Sequence, residues 1–151
     1  MNKDSCMSAP RVLILCTANP SRSQMAEGLL RHMAGDTLRV DSAGAQPSVV
    51  NPFAIRAMAA RGLDISGHRS KSVMEFFDQS FDYVLTVCDL AAETCPTFPG
   101  KAERFHWGFP DPAAVKGTDE ERLAAFVQVR DDLEATLKDW YASLKLSNVL
   151  A

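Results

Sequence analysis

Cys16 and Arg22 lie with five residues between them, at the point where a strand pattern changes into a helix pattern. Residues 12–15 form a short apolar run typical of a buried strand, and from Met25 onward apolar residues recur with helical spacing. The backbone N–H groups of such a turn, with the dipole of the following helix, form a nest for a tetrahedral oxyanion. The guanidinium of Arg22 adds a planar fork that binds two oxygens of the anion. We therefore expect an oxyanion-binding loop formed by Thr17, Ala18, Asn19, Pro20, Ser21, Arg22 and Ser23.

Cys16 is the candidate nucleophile of this loop. A cysteine thiol with an ordinary pKa of about 8.5 is mostly protonated at neutral pH, whereas helix N-termini and cations lower that pKa to roughly 3.5–7.5. Ser23 can donate a hydroxyl hydrogen bond to the thiolate, and Asn19 can brace the turn through its side-chain amide. Taken alone, the Cys-x5-Arg spacing also fits a buried cysteine that ends a strand beside a solvated arginine.

Asp111 is the candidate general acid. Pro110 and Pro112 flank it and restrict the backbone, so the carboxyl group is aimed in one direction. If Cys16 attacks the central atom of an oxyanion, a positioned acid must protonate the departing oxygen, which contributes about 10²–10⁴-fold to the rate. The alternative is a turn aspartate that makes an ordinary hydrogen bond to its own backbone.

Two further cysteines, Cys88 and Cys95, bracket the segment DLAAET. A disulfide between them requires this segment to bend, since the Cα atoms of a disulfide lie within about 7 Å of each other. Oxidation would therefore change the shape of the segment. The alternative is two unrelated core cysteines. Their separation is too long for a zinc hairpin and no histidine has ligand spacing to them, so we expect no metal site.

The elements that position these residues alternate between strands and helices. Strands are predicted at residues 12–15, 38–42, 83–87 and 103–106. Helices are predicted after Arg22, after Asn51-Pro52, after the capping-box pair Ser72 and Glu75 with Phe76 and Phe77 as anchors, and after Thr118. This order predicts an α/β fold, a small doubly wound four-stranded parallel sheet flanked by helices. Ligands of such sheets bind at the carboxyl ends of the strands, where the two thiols and Asp111 would converge.

Length and composition favour one domain. The chain has 151 residues, 46% of them hydrophobic, and a net charge of −3, which leaves no basic footprint for nucleic acid. Residues 1–10 are expected to form a flexible leader, residues 11–146 a single catalytic domain and residues 147–151 a frayed tail. No apolar run approaches the roughly 20 residues of a membrane span. We expect a cytoplasmic monomer, in which cysteines serve chemistry rather than structural disulfides.

The chain resembles the thioredoxin-coupled arsenate reductases of the low-molecular-weight phosphatase-like family over residues 12–144. The motifs that carry the resemblance are CTANPSRSQMAEG from Cys16, DSAG from Asp41, LDIS from Leu63 and HWGFPDPA from His106. Cys88 and Cys95 fall where that family places its second and third redox cysteines. The loop departs from the family sequence CTGNSCRSQMAEG at Ala18, Pro20 and Ser21, and the loss of glycine at Ala18 is expected to stiffen the turn.

The resemblance implies a three-cysteine relay. Cys16 would attack arsenate held by the loop and Arg22 while Asp111 protonates the leaving hydroxyl. Cys88 would then attack Cys16 and release arsenite, and Cys95 would attack Cys88. No bound cofactor is implied, because reduced thioredoxin supplies the electrons; glutaredoxin or a low-molecular-weight thiol remains an alternative donor.

The resemblance also bears on a cation. Some members bind potassium near the positions of Asn19, Glu27 and Ser42, with an aspartate where this chain has Lys71. An ammonium group there would compete with the ion, so we expect no potassium requirement.

Two other functions compete with arsenate reduction. The first is hydrolysis of phosphomonoesters by Cys16, Arg22 and Asp111, which has no use for Cys88 and Cys95. The second is an oxyanion-binding or redox-sensing module that signals through the Cys88 and Cys95 pair without turnover.

Overall fold

A computed structural model of the chain describes residues 9–16, 21–44, 49–88 and 101–146. Its centre is one sheet of four parallel strands in the order β2-β1-β3-β4. The strands are β1 (Arg11–Cys16), β2 (Arg39–Gly44), β3 (Tyr83–Thr86) and β4 (Glu103–His106). The predicted fold class is confirmed.

Among the described residues, the α-helices that connect and cover the strands are α1 (Arg22–Ala34), α2 (Pro52–Ala60) and α3 (Asp119–Leu146). Short 3-10 turns occupy Gly35–Thr37, Val73–Phe76 and Pro112–Ala114. The start of α2 follows from its sequence, since the side chain of Asn51 accepts a hydrogen bond from the backbone N–H of Phe53 at 2.8 Å. The predicted capping box of Ser72 and Glu75 forms as well.

The core lies between the sheet and the helices that flank it. The helices α1, α2 and α3 contact one another, and α3 buries a long apolar face. Its buried residues are Phe126, Val129, Leu133, Leu137, Trp140, Tyr141 and Leu144. Each fully buried Leu or Phe contributes about 1.5–3 kcal/mol by leaving water, so this face contributes substantially to stability.

Several predicted boundaries need correction. The second strand runs from Arg39 to Gly44 rather than from residue 38 to residue 42, so Ser42 lies two residues before its end. Phe76 is buried as predicted, but Phe77 is 55% exposed and anchors nothing, because a four-residue 3-10 turn can direct only part of its side chains inward.

The two ends of the chain were predicted to be mobile. Ala9 is buried, its carbonyl oxygen accepts a hydrogen bond from Nε of Arg39, and the carbonyl of Pro10 accepts one from the N–H of Arg39. The last two residues of the expected leader therefore belong to the domain. Residues 1–8 and the expected tail, 147–151, lie outside the described residues. Within the described ranges no helix is long and apolar enough to cross a membrane.

Candidate active site

Cys16 is the last residue of β1 and is 1% exposed. The helix α1 begins six residues later at Arg22, as the strand-to-helix pattern predicts. Thr17, Ala18, Asn19 and Pro20, four residues of the expected oxyanion loop, lie outside the described residues. The described parts that flank these residues are Cys16 at the end of β1 and Ser21 and Arg22 at the start of α1.

Among the described residues, the N-cap side chain of α1 does not accept a hydrogen bond from the backbone N–H groups of the first turn. Ser21 is the N-cap residue and is buried, and within the described ranges its side chain makes no capping hydrogen bond. The first turn of α1 carries no acidic residue. Negative charge stabilises a helix N-terminus, so this end of α1 suits an anion.

Arg22 connects the oxyanion loop to the loop of the candidate acid. Its Nη1 donates a hydrogen bond to the carbonyl oxygen of Phe109 at 2.9 Å. Its Nε is buried and has no hydrogen-bond partner among the described residues. A buried donor of this kind is costly unless something accepts its hydrogen. An oxyanion in the loop would supply such an acceptor and complete the guanidinium fork.

Asp111 lies at the surface, two residues beyond the carbonyl that Arg22 holds. Its Oδ1 accepts a hydrogen bond from the backbone N–H of Ala113 at 3.0 Å, so it caps the turn Pro112–Ala114. This is the turn bond that the alternative interpretation expected. It also fixes the orientation of the carboxyl group, and the link from Arg22 to Phe109 ties its loop to the oxyanion loop.

Cys88 follows β3 and is 4% exposed. The backbone N–H of Val87 donates to the carbonyl of Leu15 at 3.0 Å, so the chain that leads into Cys88 is hydrogen-bonded to the last residues of β1. Adjacent strands lie about 4.8 Å apart. The structure thus brings the ends of β1 and β3, with Cys16 and Cys88, to one edge of the sheet. Cys95 lies outside the described residues.

The first polar residues that follow Arg22 in α1 are buried. Ser23, Gln24 and Glu27 are buried, and Glu27 accepts a hydrogen bond from the hydroxyl of Ser42. Lys71 Nζ lies 3.4 Å from Oε1 of Glu27.

Arg31 and His68 approach the other oxygen of Glu27, at 3.3 and 3.8 Å. Burial lowers the pKa of His68 below its ordinary value, and the carboxylate of Glu27 partly offsets that effect. No cluster of three or more His, Cys, Asp or Glu residues able to hold a metal occurs in the part of the chain that the structure describes. Sequence reasoning missed His68, whose proximity to Glu27 depends on the tertiary fold.

Thr86 was also missed. It is the last residue of β3, it is buried, and its hydroxyl lies 2.8 Å from Nδ1 of His106 at the end of β4. The only sequence signal was a polar residue in an apolar strand, two positions before Cys88.

Comparison with known proteins identifies the family of this chain. Residues 11–149 match the family described as low molecular weight phosphotyrosine protein phosphatase. An arsenate reductase of Halalkalibacterium halodurans is 45% identical over 132 residues, which are 87% of this chain and 95% of that protein.

Two solved structures share the fold. An arsenate reductase in a phosphate-binding state superposes with a TM-score of 0.76 at 29% identity, over 89% of this chain and 98% of that one. A thioredoxin-dependent arsenate reductase of Corynebacterium glutamicum superposes with a TM-score of 0.69 at 28% identity, over 92% and 63%. The resemblance inferred from the motifs is confirmed, and the chain belongs to the low molecular weight phosphotyrosine protein phosphatase family.

Proposed function

We propose that this chain reduces arsenate to arsenite through a relay of Cys16, Cys88 and Cys95. The observation that supports the proposal is the pairing of β1 with β3, which brings the buried Cys16 and Cys88 to the same edge of the sheet, the edge at which α1 begins with Arg22. A hydrolase needs only the first of these thiols. The arsenate reductase relatives, matched over nearly their full length, support the same chemistry.

The first step is binding and attack at arsenic. The start of α1 and the guanidinium of Arg22 hold the oxyanion, and the thiolate of Cys16 forms a sulfur–arsenic bond. Asp111 donates the proton with which one oxygen leaves as water. The buried Nε of Arg22, which has no hydrogen-bond partner among the described residues, gains an acceptor when the anion binds and so contributes to the binding energy.

The second step is reduction. The thiolate of Cys88 attacks the sulfur of Cys16, a sulfur–sulfur bond forms, and the electron pair of the breaking sulfur–arsenic bond goes to arsenic, which leaves as arsenite. Cys95 then attacks Cys88, and Cys16 departs as a thiolate ready for another turnover. The two thiols of the Cys88–Cys95 disulfide are restored by an external dithiol.

Reduced thioredoxin is the proposed electron donor, with glutaredoxin or a low-molecular-weight thiol as the alternative. Support comes from the structural relative from Corynebacterium glutamicum, which is a thioredoxin-dependent arsenate reductase. The resting enzyme must hold its thiols reduced, which fits the cytoplasm expected from the sequence. No bound cofactor takes part in this scheme.

Phosphomonoester hydrolysis is the second candidate, because the matching family is described as a phosphatase. It would use the same Cys16, Arg22 and Asp111, with water in place of Cys88 as the second nucleophile. The two functions differ in their dependence on Cys88.

The test is NADPH consumption with arsenate, thioredoxin and thioredoxin reductase, run with the wild type and with Cys88→Ser. We expect sustained turnover that falls to background in the variant. Hydrolysis of para-nitrophenyl phosphate is the matched control, since it does not require Cys88. No NADPH consumption by the wild type, together with ester hydrolysis that Cys88→Ser retains, would assign the chain to the phosphatases.

A further inference from the structure

We propose that Thr86 is a positioning residue for the attack of Cys88 on Cys16. It acts by locking the end of β3 to the end of β4, two residues before the attacking thiol. The inference rests on the relay proposed above and adds a residue that the relay itself does not name.

The hydroxyl of Thr86 lies between two groups of β4. Its Oγ1 is 2.8 Å from Nδ1 of His106 and 3.4 Å from the carbonyl oxygen of Phe105. A hydroxyl has one hydrogen, so both contacts are satisfied when Thr86 donates to the Phe105 carbonyl and accepts from the Nδ1–H of His106. Because Thr86 is buried, water does not replace these bonds when they are lost.

Two backbone hydrogen bonds continue the connection between the ends of β3 and β4 beyond the last paired residues of these strands. The N–H of Trp107 donates to the carbonyl of Thr86 at 2.8 Å, and the N–H of Phe109 donates to the carbonyl of Val87 at 3.2 Å. On its other side, Val87 donates to Leu15 in β1. The backbone just before Cys88 is therefore hydrogen-bonded on one side to β1 and on the other to the residues that follow β4.

The hydrogen bonds between the ends of β3 and β4 also reach Arg22 through a single residue, Phe109. The carbonyl of Phe109 accepts the hydrogen bond from Arg22, while its N–H holds Val87. A shift of β4 against β3 would therefore move Cys88 relative to the arginine that holds the substrate. Attack on sulfur requires alignment of the reacting atoms, and a displacement of about 1 Å can slow a reaction by about 10²-fold.

The experiment uses a Cys95→Ser parent, in which the relay stops at the Cys16–Cys88 disulfide. The parent and its Thr86→Val variant are mixed with arsenate and quenched with an alkylating reagent, and the disulfide is measured by peptide mass spectrometry. Two further readouts, the Kd of inorganic phosphate and the alkylation rate of Cys16, report the oxyanion loop alone. We expect disulfide formation to slow by on the order of tenfold, with both loop readouts unchanged.

Thr37→Val in the same parent is the matched control. The hydroxyl of Thr37 also joins a carbonyl, that of Ala34, to a side chain, Tyr141, each at 2.6 Å, and it lies between α1 and β2 near the amino ends of the strands. This control should leave all three readouts at the parent values.

His106 supplies a second pair of variants that leaves the buried hydroxyl in place, since His106 is exposed. His106→Leu removes the ring nitrogen that Thr86 contacts and should slow disulfide formation, whereas His106→Asn keeps a donor in the side chain and should restore part of the rate.

Three outcomes would overturn the proposal. The first is disulfide formation by Thr86→Val at the parent rate. The second is a parallel loss of phosphate affinity, which would reveal a general structural defect. The third is the absence of a Cys16–Cys88 disulfide in the parent itself, which would refute the relay and this inference with it.

Discussion

The carboxyl end of the sheet and the interface beneath α3 differ in what they bury. Among the described residues, the buried polar side chains cluster at the carboxyl end and in the first two turns of α1: Ser21, Ser23, Gln24, Glu27, Ser42 and Thr86. The interface beneath α3 buries apolar side chains such as Phe126, Leu133 and Leu137, all at 0% exposure.

This difference separates function from stability. A buried polar group lowers the stability of the fold by about 1–3 kcal/mol when its hydrogen bond is missing. The polar side chains buried at the carboxyl end of the sheet are therefore maintained for what they bind. Burial of apolar side chains beneath α3 offsets the free-energy cost of the buried polar groups, and a cavity in this interface would lower the stability. Substitutions at the two regions should therefore change different measurable quantities.

Asp111→Asn should give the largest effect and should change only activity. Loss of a positioned acid costs about 10²–10⁴-fold in rate, while the amide oxygen can still accept the hydrogen bond from Ala113. Steady-state arsenate reduction and thermal melting, measured on the same preparation, test this. A kcat within twofold of the wild type would leave Asp111 with only its turn-capping role.

Leu137→Ala should show the opposite behaviour. Leu137 belongs to α3 and its side chain is fully buried. Truncation of such a residue lowers the free energy of unfolding by about 2–5 kcal/mol. Urea unfolding should report that loss, whereas kcat measured well below the melting temperature should match the wild type. A large fall in kcat with little loss of stability would break the comparison.

A smaller effect, on stability, is expected at the exposed ion pair of Arg69 and Glu75. Glu75 also belongs to the capping box that begins at Ser72. The guanidinium of Arg69 lowers the pKa of Glu75 to about 2. A lowered carboxyl pKa stabilises the fold above the ordinary pKa of 4.5, and this contribution is lost as the pH falls toward 2. The Tm advantage of the wild type over Glu75→Gln should therefore shrink between pH 5 and pH 2. A constant difference across that range would assign the effect to the capping geometry instead.

Potassium should have no effect at all. The ammonium of Lys71 lies beside Glu27, where it satisfies the buried carboxylate and repels a second cation. Turnover in potassium chloride and in sodium chloride at equal ionic strength should be the same. Stimulation by potassium would contradict this account of Lys71.

Local patterns were sufficient to predict much of this site. The positions of Cys16 and Arg22 follow from a strand-to-helix change within one short stretch, and β4 has the predicted bounds. The alternation of strands and helices predicts that the carboxyl ends of the strands meet at one edge of the sheet, and the pairing of β1 with β3 brings Cys16 and Cys88 to that edge.

The remaining features depend on contacts between distant parts of the chain. The bond from Thr86 to His106 needs the register of β3 with β4, and the bond from Arg22 to Phe109 spans 87 residues. No periodicity encodes either one. The exposure of Phe77 was mispredicted for the same reason, because only packing decides which residues of a short turn face inward.

The most direct test of the relay is a map of the cysteines after one turnover. The fully reduced wild type is mixed with one equivalent of arsenate without any external reductant, quenched by alkylation and digested for mass spectrometry. The relay predicts one equivalent of arsenite, a disulfide between Cys88 and Cys95, and an alkylated Cys16. Arsenite production with Cys88 and Cys95 both alkylated, or no arsenite at all, would contradict it.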